Sequence, residues 1–396
     1  LWLGLDWQEG IDQDQGNGPY QQSERQAIYD KYYQQLEEQG VAYPCFCSQQ
    51  ELAVSRKLQL SAGKPPRYSG KCCSLNADEI AAKLAEGLKP TLRFKMPKNK
   101  EIVFEDLVKG KQSFQAEEIG DFIIRRANGT ASFMYCNAID DAMMGVTHAL
   151  RGEDHLTNTP RQLVILESLT LQAPTYGHFA LILGMDGAPL SKRNGSRSIQ
   201  ELRELGYLPS AVTNYMARLG HYYADNDFMS LDELAAKFAD KHLSTSPSRY
   251  DEKQLLFWQK HAVGELSDAN FYQWANVEIT EDKKSAFMTL AKETAHFPEE
   301  VAILANIYFK EILPLSDEAK AVVKEAGNDF FEAAAKSLAQ HGADFSAIKN
   351  QLMSELNVKG KKLFMPLRLA LTGQMHGPDL GSVIALIGVD NSIKRL

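Results

Sequence analysis

An α/β part that carries a loop-rich insertion and leads into an α-helical part is the fold class the sequence predicts. Three observations predict it. Strand, helix and strand patterns alternate over 122–183 and end in a Gly-rich loop. The stretch 45–118 is irregular and broken by Pro65-Pro66, Gly63 and Gly70. Beyond Ser198 the pattern is almost entirely helical. A chain of 396 residues has room for two to four packed units. Its 44% hydrophobic and 24% charged content excludes wholesale disorder. No apolar run approaches the roughly 18 residues that would span a bilayer, so no membrane role is expected.

Taken in order, residues 20–40 read as one amphipathic helix, with Ala27, Ile28, Tyr32 and Leu36 on a 3–4 spacing and Gly40 as its stop. Within the irregular stretch, 91–96 reads as a short strand. Apolar runs at 122–124 and 133–139, joined by a turn at Asn128-Gly129, read as a strand pair. Thr159-Pro160-Arg161-Gln162 has the form of a capping box with an early Pro and predicts a helix start. A strand follows at 179–183, then the loop Gly184-Met185-Asp186-Gly187. Open α/β sheets bind ligands at this carboxyl edge. Helical patterns then cover 199–219, 230–241, 285–310 and 317–340. The opening Leu1-Trp2-Leu3-Gly4-Leu5-Asp6-Trp7 has neither an initiator Met nor a charged signal-type start and reads as the middle of a domain.

Charge is unevenly spread. Residues 50–112 carry 13 Lys and Arg against seven acids, +6 in a chain whose total is −8. A basic segment on an acidic chain is either the footprint of a polyanion or a solvated surface. Five cysteines, Cys45, Cys47, Cys72, Cys73 and Cys136, are too few and too unevenly placed for a disulfide framework, which points to a reducing, cytoplasmic setting.

Three clusters could carry chemistry. Ser191-Lys192-Arg193 sits in a loop after a buried strand, where adjacent cations can neutralise charge developing on a nucleotide's phosphates. The bland reading is a surface turn. Arg151, in Arg151-Gly152-Glu153-Asp154-His155, has the planar fork that grips a carboxylate. Nearby, Asp140 and Asp141 either cap the following helix or pair with Arg151, and His155 reads as a hydrogen-bonded structural histidine. Cys45-Phe46-Cys47 followed by Cys72-Cys73 either closes a tetrahedral zinc site or supplies small buried hydrophobes.

In combination the motifs are recognisable. Arg151-Gly152-Glu153-Asp154-His155, Asn158-Thr159-Pro160-Arg161-Gln162, Leu190-Ser191-Lys192-Arg193 and Tyr207-Leu208-Pro209 occur in this order. With Gly18-Pro19-Tyr20-Gln21-Gln22-Ser23 early and Met365-Pro366-Leu367-Arg368 late, the chain strongly resembles the bacterial glutamyl-tRNA synthetase family from end to end. The resemblance implies a Rossmann-type class I catalytic domain over 1–44 and 119–195 and an acceptor-stem-binding α+β module inserted at 45–118. It further implies a stem-contact region at 196–255 and an all-α anticodon-binding region at 256–396. It implies attachment of L-glutamate to tRNA-Glu through a glutamyl-adenylate, with ATP and Mg2+, by a cytoplasmic monomer whose tRNA binds before glutamate is activated. By position the resemblance makes Lys192 the expected catalytic lysine. Ser191, Lys192, Arg193 and Leu183 belong to the ATP site, and Arg151, Asn137 and Phe133 to the glutamate pocket. A structural zinc ion on Cys45, Cys47, Tyr68 and Cys72 is implied for some members.

Four departures qualify the likeness. The family's first signature, ending in His-Ile-Gly-His, is absent, so the sequence reads as an incomplete record of a longer enzyme. Pro189 replaces the first cation of the lysine loop, and Phe133 stands where a Tyr is frequent. Ser74 stands where a zinc-binding His is usual; Tyr68, four residues before Cys72, and Cys73 are rival fourth ligands. Three other readings compete: a paralogue that glutamylates tRNA-Gln, a tRNA-modifying relative, and a non-catalytic tRNA-binding remnant. The tRNA-modifying relative is disfavoured because about half of the chain lies beyond Lys192. Lys359, Lys361, Lys362 and Arg368 form a late basic cluster that reads as a solvated helix face.

Overall fold

The computed structural model describes residues 1–191, 197–309 and 315–396. After a 3-10 turn at Gln22–Glu24 comes α1 (Gln26–Glu38). Its buried stripe is Tyr29, Tyr32, Tyr33 and Leu36, whereas Ala27 is exposed. Gly40 ends the segment at φ +67°, a conformation favoured by a residue without Cβ. Strand β1 (Ala42–Cys45) leads into α2 (Gln49–Ser61) and α3 (Ala77–Ala85). Each of these helices opens with a reciprocal cap, Ser48 with Glu51 and Asn76 with Glu79. Strand β2 (Thr91–Phe94) lies between β1 and β5 (Phe122–Arg125), antiparallel to each. A hairpin of β3 (Glu101–Asp106) and β4 (Gly110–Gln115) projects from this three-stranded sheet, and the short α4 (Ala116–Ile119) follows it.

The run expected as a second strand at 133–139 is a helix, α5 (Phe133–Met143). A short apolar run fits either period, and burial of Tyr135, Cys136, Ala138 and Ile139 follows the helical one. Tyr135 stacks on Tyr33 at 4.1 Å, and its hydroxyl donates to the Tyr29 carbonyl at 2.7 Å, fixing α5 to α1. Strand β6 (His148–Gly152), α6 (Thr159–Ser168) and β7 (Thr175–Phe179) form a parallel strand–helix–strand unit; the sequence predicts the helix start at Thr159 but neither β6 nor the bounds of β7. Gly177 makes that pairing close, since a Cβ there would sit 2.8 Å from the Leu150 side chain. The strand expected over 179–183 is divided: β7 ends at Phe179, and β8 (Ile182–Leu183) pairs in parallel with β9 (Ser248–Arg249).

The rest is helical, and glycines and prolines divide the expected patterns into shorter helices. Residues 199–219 become α7 (Ile199–Glu204) and α8 (Pro209–Gly220), broken at Gly206 (φ +89°). Helices α9 (Leu231–Ala236), α10 (Glu252–Glu265), α11 (Asp268–Ala275), α12 (Glu281–Thr294) and α13 (Pro298–Phe309) follow. Then come α14 (Asp317–Ala326), α15 (Asn328–His341), α16 (Phe345–Leu356), α17 (Lys361–Thr372), α18 (Leu380–Ile387) and α19 (Val389–Arg395). The apolar side chains gather in separate cores. One lies among α1, the three-stranded sheet, α5 and α6. A second joins α8 and α10 to α13 with α18, and a third lies among α14 to α18. Among the described residues no helix is long and apolar enough to cross a membrane.

Candidate active site

Arg151 lies on β6 beside β7, and neutral partners surround its guanidinium. Nη1 donates to Asn137 Oδ1 at 3.2 Å. Nη2 donates to Thr159 Oγ1 at 2.9 Å and Gln162 Oε1 at 2.6 Å, and Nε donates to His178 Nε2 at 3.1 Å. The carbon of the guanidinium stands 4.9 Å from the Tyr176 ring. The structure thus brings Asn137 and Arg151 together, as expected. It also corrects the reading of Thr159-Pro160-Arg161-Gln162. Pro160 is in the first turn of α6, but no side chain caps it; Thr159 and Gln162, fully buried, hold Arg151 instead.

None of the ion pairs among the described residues involves Arg151. Asp140 and Asp141 do not cap a following helix; they belong to α5 itself. Asp140 pairs with Arg25 at 2.6 Å and accepts from the Tyr29 hydroxyl at 2.7 Å. Asp141 stands one turn after Asn137. Burial pushes its carboxyl up to about 6, the positive field of Arg151 opposes that rise, and Asp140 adds to it. His155 is half-buried and lies within 3.1 Å of Asn158 Nδ2.

The other expected site residues are less gathered. Phe133 opens α5 and is 42% exposed, its ring 5.2 Å from that of His155. The Leu183 carbonyl accepts from Tyr250 at 2.8 Å, and Leu190 donates to Ile182 at 3.0 Å, so both edges of β8 are occupied by backbone. Ser191 is exposed. Lys192 and Arg193 lie outside the described residues.

Cys45, Cys47 and Cys72 converge, with sulfurs all within 4.8 Å of one another. Tyr68 closes the group, its hydroxyl 3.3 Å from Cys45 Sγ and 3.5 Å from Cys47 Sγ. Cys73 is not in the cluster, and Ser74 is exposed. Arg93, 5% exposed, lies over the Tyr68 ring at 3.8 Å. Burial opposes ionisation of Cys45, but hydrogen bonding by Tyr68 and Arg93 outweighs it and brings the thiol down to about 7. The three thiols form a donor set that could hold a metal ion, with the Tyr68 hydroxyl beside them. Beside this cluster, between α2 and β5, opens a cavity of about 900 Å³ lined in part by Arg56, Arg67, Lys71 and Arg93.

Asp106 and His178 escaped the sequence reading, though they are the most deeply buried ionisable pair at the site. His178 Nδ1 is 2.5 Å from Asp106 Oδ2, with both side chains fully buried. A histidine at an inward position of an otherwise apolar strand was the available signal.

A parallel strand–helix–strand unit with an arginine at its edge that makes no ion pair among the described residues, followed by a long helical extension, has the architecture of an α/β domain that binds ligands at its strand ends. The comparisons agree. The family described as tRNA synthetases class I (E and Q), catalytic domain, matches residues 1–257, and an anticodon binding domain matches 233–396. The chain belongs to the class I tRNA synthetases for glutamate and glutamine. It is 54% identical to glutamate–tRNA ligase 2 of Coxiella burnetii over 399 residues, covering all of this chain and 86% of that protein. It is 49% identical to glutamate–tRNA ligase 2 of Alkalilimnicola ehrlichii, covering all of this chain and 84% of that one. A glutamate tRNA ligase from Elizabethkingia meningosepticum, crystallised with its amino acid, superimposes with a TM-score of 0.85 at 26% identity. That match covers 100% of this chain and 86% of the other.

Proposed function

We propose that the protein attaches L-glutamate to tRNA-Glu, using ATP with Mg2+ and passing through a glutamyl-adenylate. Relatives about half identical over the whole chain are named glutamate–tRNA ligases, which supports ligase activity with glutamate and tRNA as substrates. The observation that carries the substrate is Arg151, a half-buried guanidinium whose hydrogen-bond partners are all neutral. A glutamate carboxylate supplies the missing counter-charge and accepts from the one Nη1 N–H that Asn137 leaves open. Asn137 shares Nη1 with that ligand, and Phe133 lines the entrance. Lys192, with Ser191 and Arg193 beside it, stabilises charge on the departing pyrophosphate as the carboxylate attacks the α-phosphorus. Leu183 borders the adenine.

Residues 1–44 and 119–195 form the catalytic domain and 45–118 the acceptor module. The regions 196–255 and 256–396 meet the stem and the anticodon. The basic cavity wall at Arg56, Arg67, Lys71 and Arg93 supports the acceptor-end role of the module. Cys45, Cys47, Cys72 and Tyr68 would hold one zinc ion, which would cross-link β1 to the segment after α2. Five unpaired cysteines support action in a reducing cytoplasm, and we take the working unit to be a monomer.

The test is glutamate charging of separate tRNA-Glu and tRNA-Gln transcripts by the full-length protein. Charging of tRNA-Glu alone is expected. Charging of tRNA-Gln would reassign the enzyme to the indirect glutaminyl-tRNA route, and tRNA binding without charging would leave only a binding protein.

A further inference from the structure

The strand–turn Asp106–Lys109, far from Arg151 in sequence, reaches the floor of the site. Asp106 Oδ1 accepts from the backbone N–H of Val108 (3.0 Å), Lys109 (2.8 Å) and His178 (3.1 Å). Its other oxygen meets His178 Nδ1. These bonds and His178 hold the carboxylate ionised in spite of its burial. An ionised carboxylate only accepts, so the proton in the 2.5 Å contact belongs to Nδ1. The Nε2 lone pair is then free to accept, and two donors converge on it: Arg151 Nε–H at 3.1 Å and the Thr159 hydroxyl, also at 3.1 Å. Thr159 in turn accepts from Arg151 Nη2.

We propose that Asp106 and His178 are positioning residues for the substrate carboxylate: Asp106 fixes the His178 tautomer, and His178 Nε2 aims the Arg151 fork. This rests on the glutamate-binding reading of Arg151. The logic is that of a metal-ligating or catalytic histidine oriented by a carboxylate, here applied to an arginine. A guanidinium on a flexible stem recognises a carboxylate well only when its plane is fixed, and the Nε bond to His178 adds a third anchored nitrogen to the two that Asn137, Thr159 and Gln162 hold. Anchoring Nε at His178 leaves the outer nitrogens directed at Asn137, Thr159, Gln162 and the ligand.

The arrangement carries a pH signature. Protonated His178 would point an N–H at the Arg151 N–H and lose both donors to Nε2. Burial holds His178 neutral to below its usual 6.5. Asp106 opposes that depression, while Arg151 and His155 reinforce it. Tyr176, the neighbouring ring on β7, is neutral here, since burial raises its phenol well above the usual value. Asp141 acts on Arg151 from α5 and titrates near 6, but protonating it removes a competing negative charge and works in the opposite direction.

The experiment measures glutamate-dependent ATP–pyrophosphate exchange, with tRNA present, for full-length wild type, Asp106→Asn, His178→Gln and His178→Ala. The KM for glutamate is expected to rise about tenfold or more in His178→Ala and Asp106→Asn, with kcat and the KM for ATP within about twofold. His178→Gln, whose amide oxygen still accepts, falls between His178→Ala and wild type. In wild type the glutamate KM climbs on the acid side of the ordinary histidine range, where the depressed His178 protonates, and this acid limb disappears in His178→Gln. Because the substitutions could unfold a buried site, 15N-histidine NMR of the wild type provides a second measurement, expected to find His178 neutral with its proton on Nδ1. An Nε2–H tautomer, an unchanged glutamate KM, or an equal rise in the KM for ATP would overturn the proposal. A wild type that fails to activate glutamate would instead overturn the functional reading beneath it.

Discussion

Arg25 and Asp140 are 115 residues apart in sequence and 2.6 Å apart in space, and Arg25 is only 1% exposed. The pair ties the segment before α1 to α5, the helix that carries Asn137 and Asp141. Arg25 Nη1 also donates to the Pro19 carbonyl at 2.7 Å, and Tyr29 shares Asp140. Removing the carboxylate would leave a buried guanidinium uncompensated. Asp140→Ala is expected to cost about 3–5 kcal/mol in urea unfolding. A loss below about 1 kcal/mol would show that the pair is incidental.

Replacing Asp141 should have the reverse sign. Its folded carboxyl titrates at about 6 against 3.8 for an ordinary aspartate, chiefly from burial. The folded state therefore binds more protons than the unfolded state between these values. This group's contribution becomes more favourable as pH falls from 6 to 3.8, and above 6 it is a full penalty. Asp141→Asn is expected to unfold about 1–2 kcal/mol harder than wild type at pH 8, with the gap closing toward pH 4. An unchanged gap across that range would remove the burial argument.

The sulfur cluster predicts metal. Purified protein should carry about one zinc per chain by mass spectrometry, and Cys72→Ser should lose it. A chelator should lower the melting temperature of wild type and leave that of Cys72→Ser unmoved. Metal-free wild type with an unaltered melting curve would make the thiols simple hydrophobes.

Lys192 is expected to act late. If its charge meets the pyrophosphate side, as proposed, Lys192→Ala should lower kcat for glutamate activation by about 10²–10³ while leaving the glutamate KM near wild type. A purely KM effect would move it to ground-state binding.

Much of this organisation was legible in the sequence, and the exceptions have physical causes. The α/β grammar and the helix start at Thr159 were legible, as was Arg151 by its chemistry at a strand edge, but β6 showed no period of its own and β7 lies almost wholly before the strand expected at 179–183. The run at 133–139 misled because a seven-residue stretch that is apolar except at Asn137 satisfies either period until burial selects one. Thr159 and Gln162 have the residue types of a helix cap, yet the same hydroxyl and amide can bond a neighbouring arginine, and only the fold decides between them. Asp106 and His178 lie 72 residues apart, so no local spacing links them. Cysteine spacing pointed to the three thiols that cluster, but that Tyr68 and not Cys73 lies against them depends on how the chain before Cys72 folds back.

Arg151 as the receptor for the glutamate carboxylate is tested most directly by one comparison. ATP–pyrophosphate exchange would be measured over a glutamate titration for full-length wild type and Arg151→Ala, with tRNA-Glu present. The account predicts glutamate-dependent exchange by wild type and a fall in kcat/KM for glutamate of about 10²-fold in the variant, with the KM for ATP held. A variant that keeps its glutamate KM within twofold of wild type would contradict it.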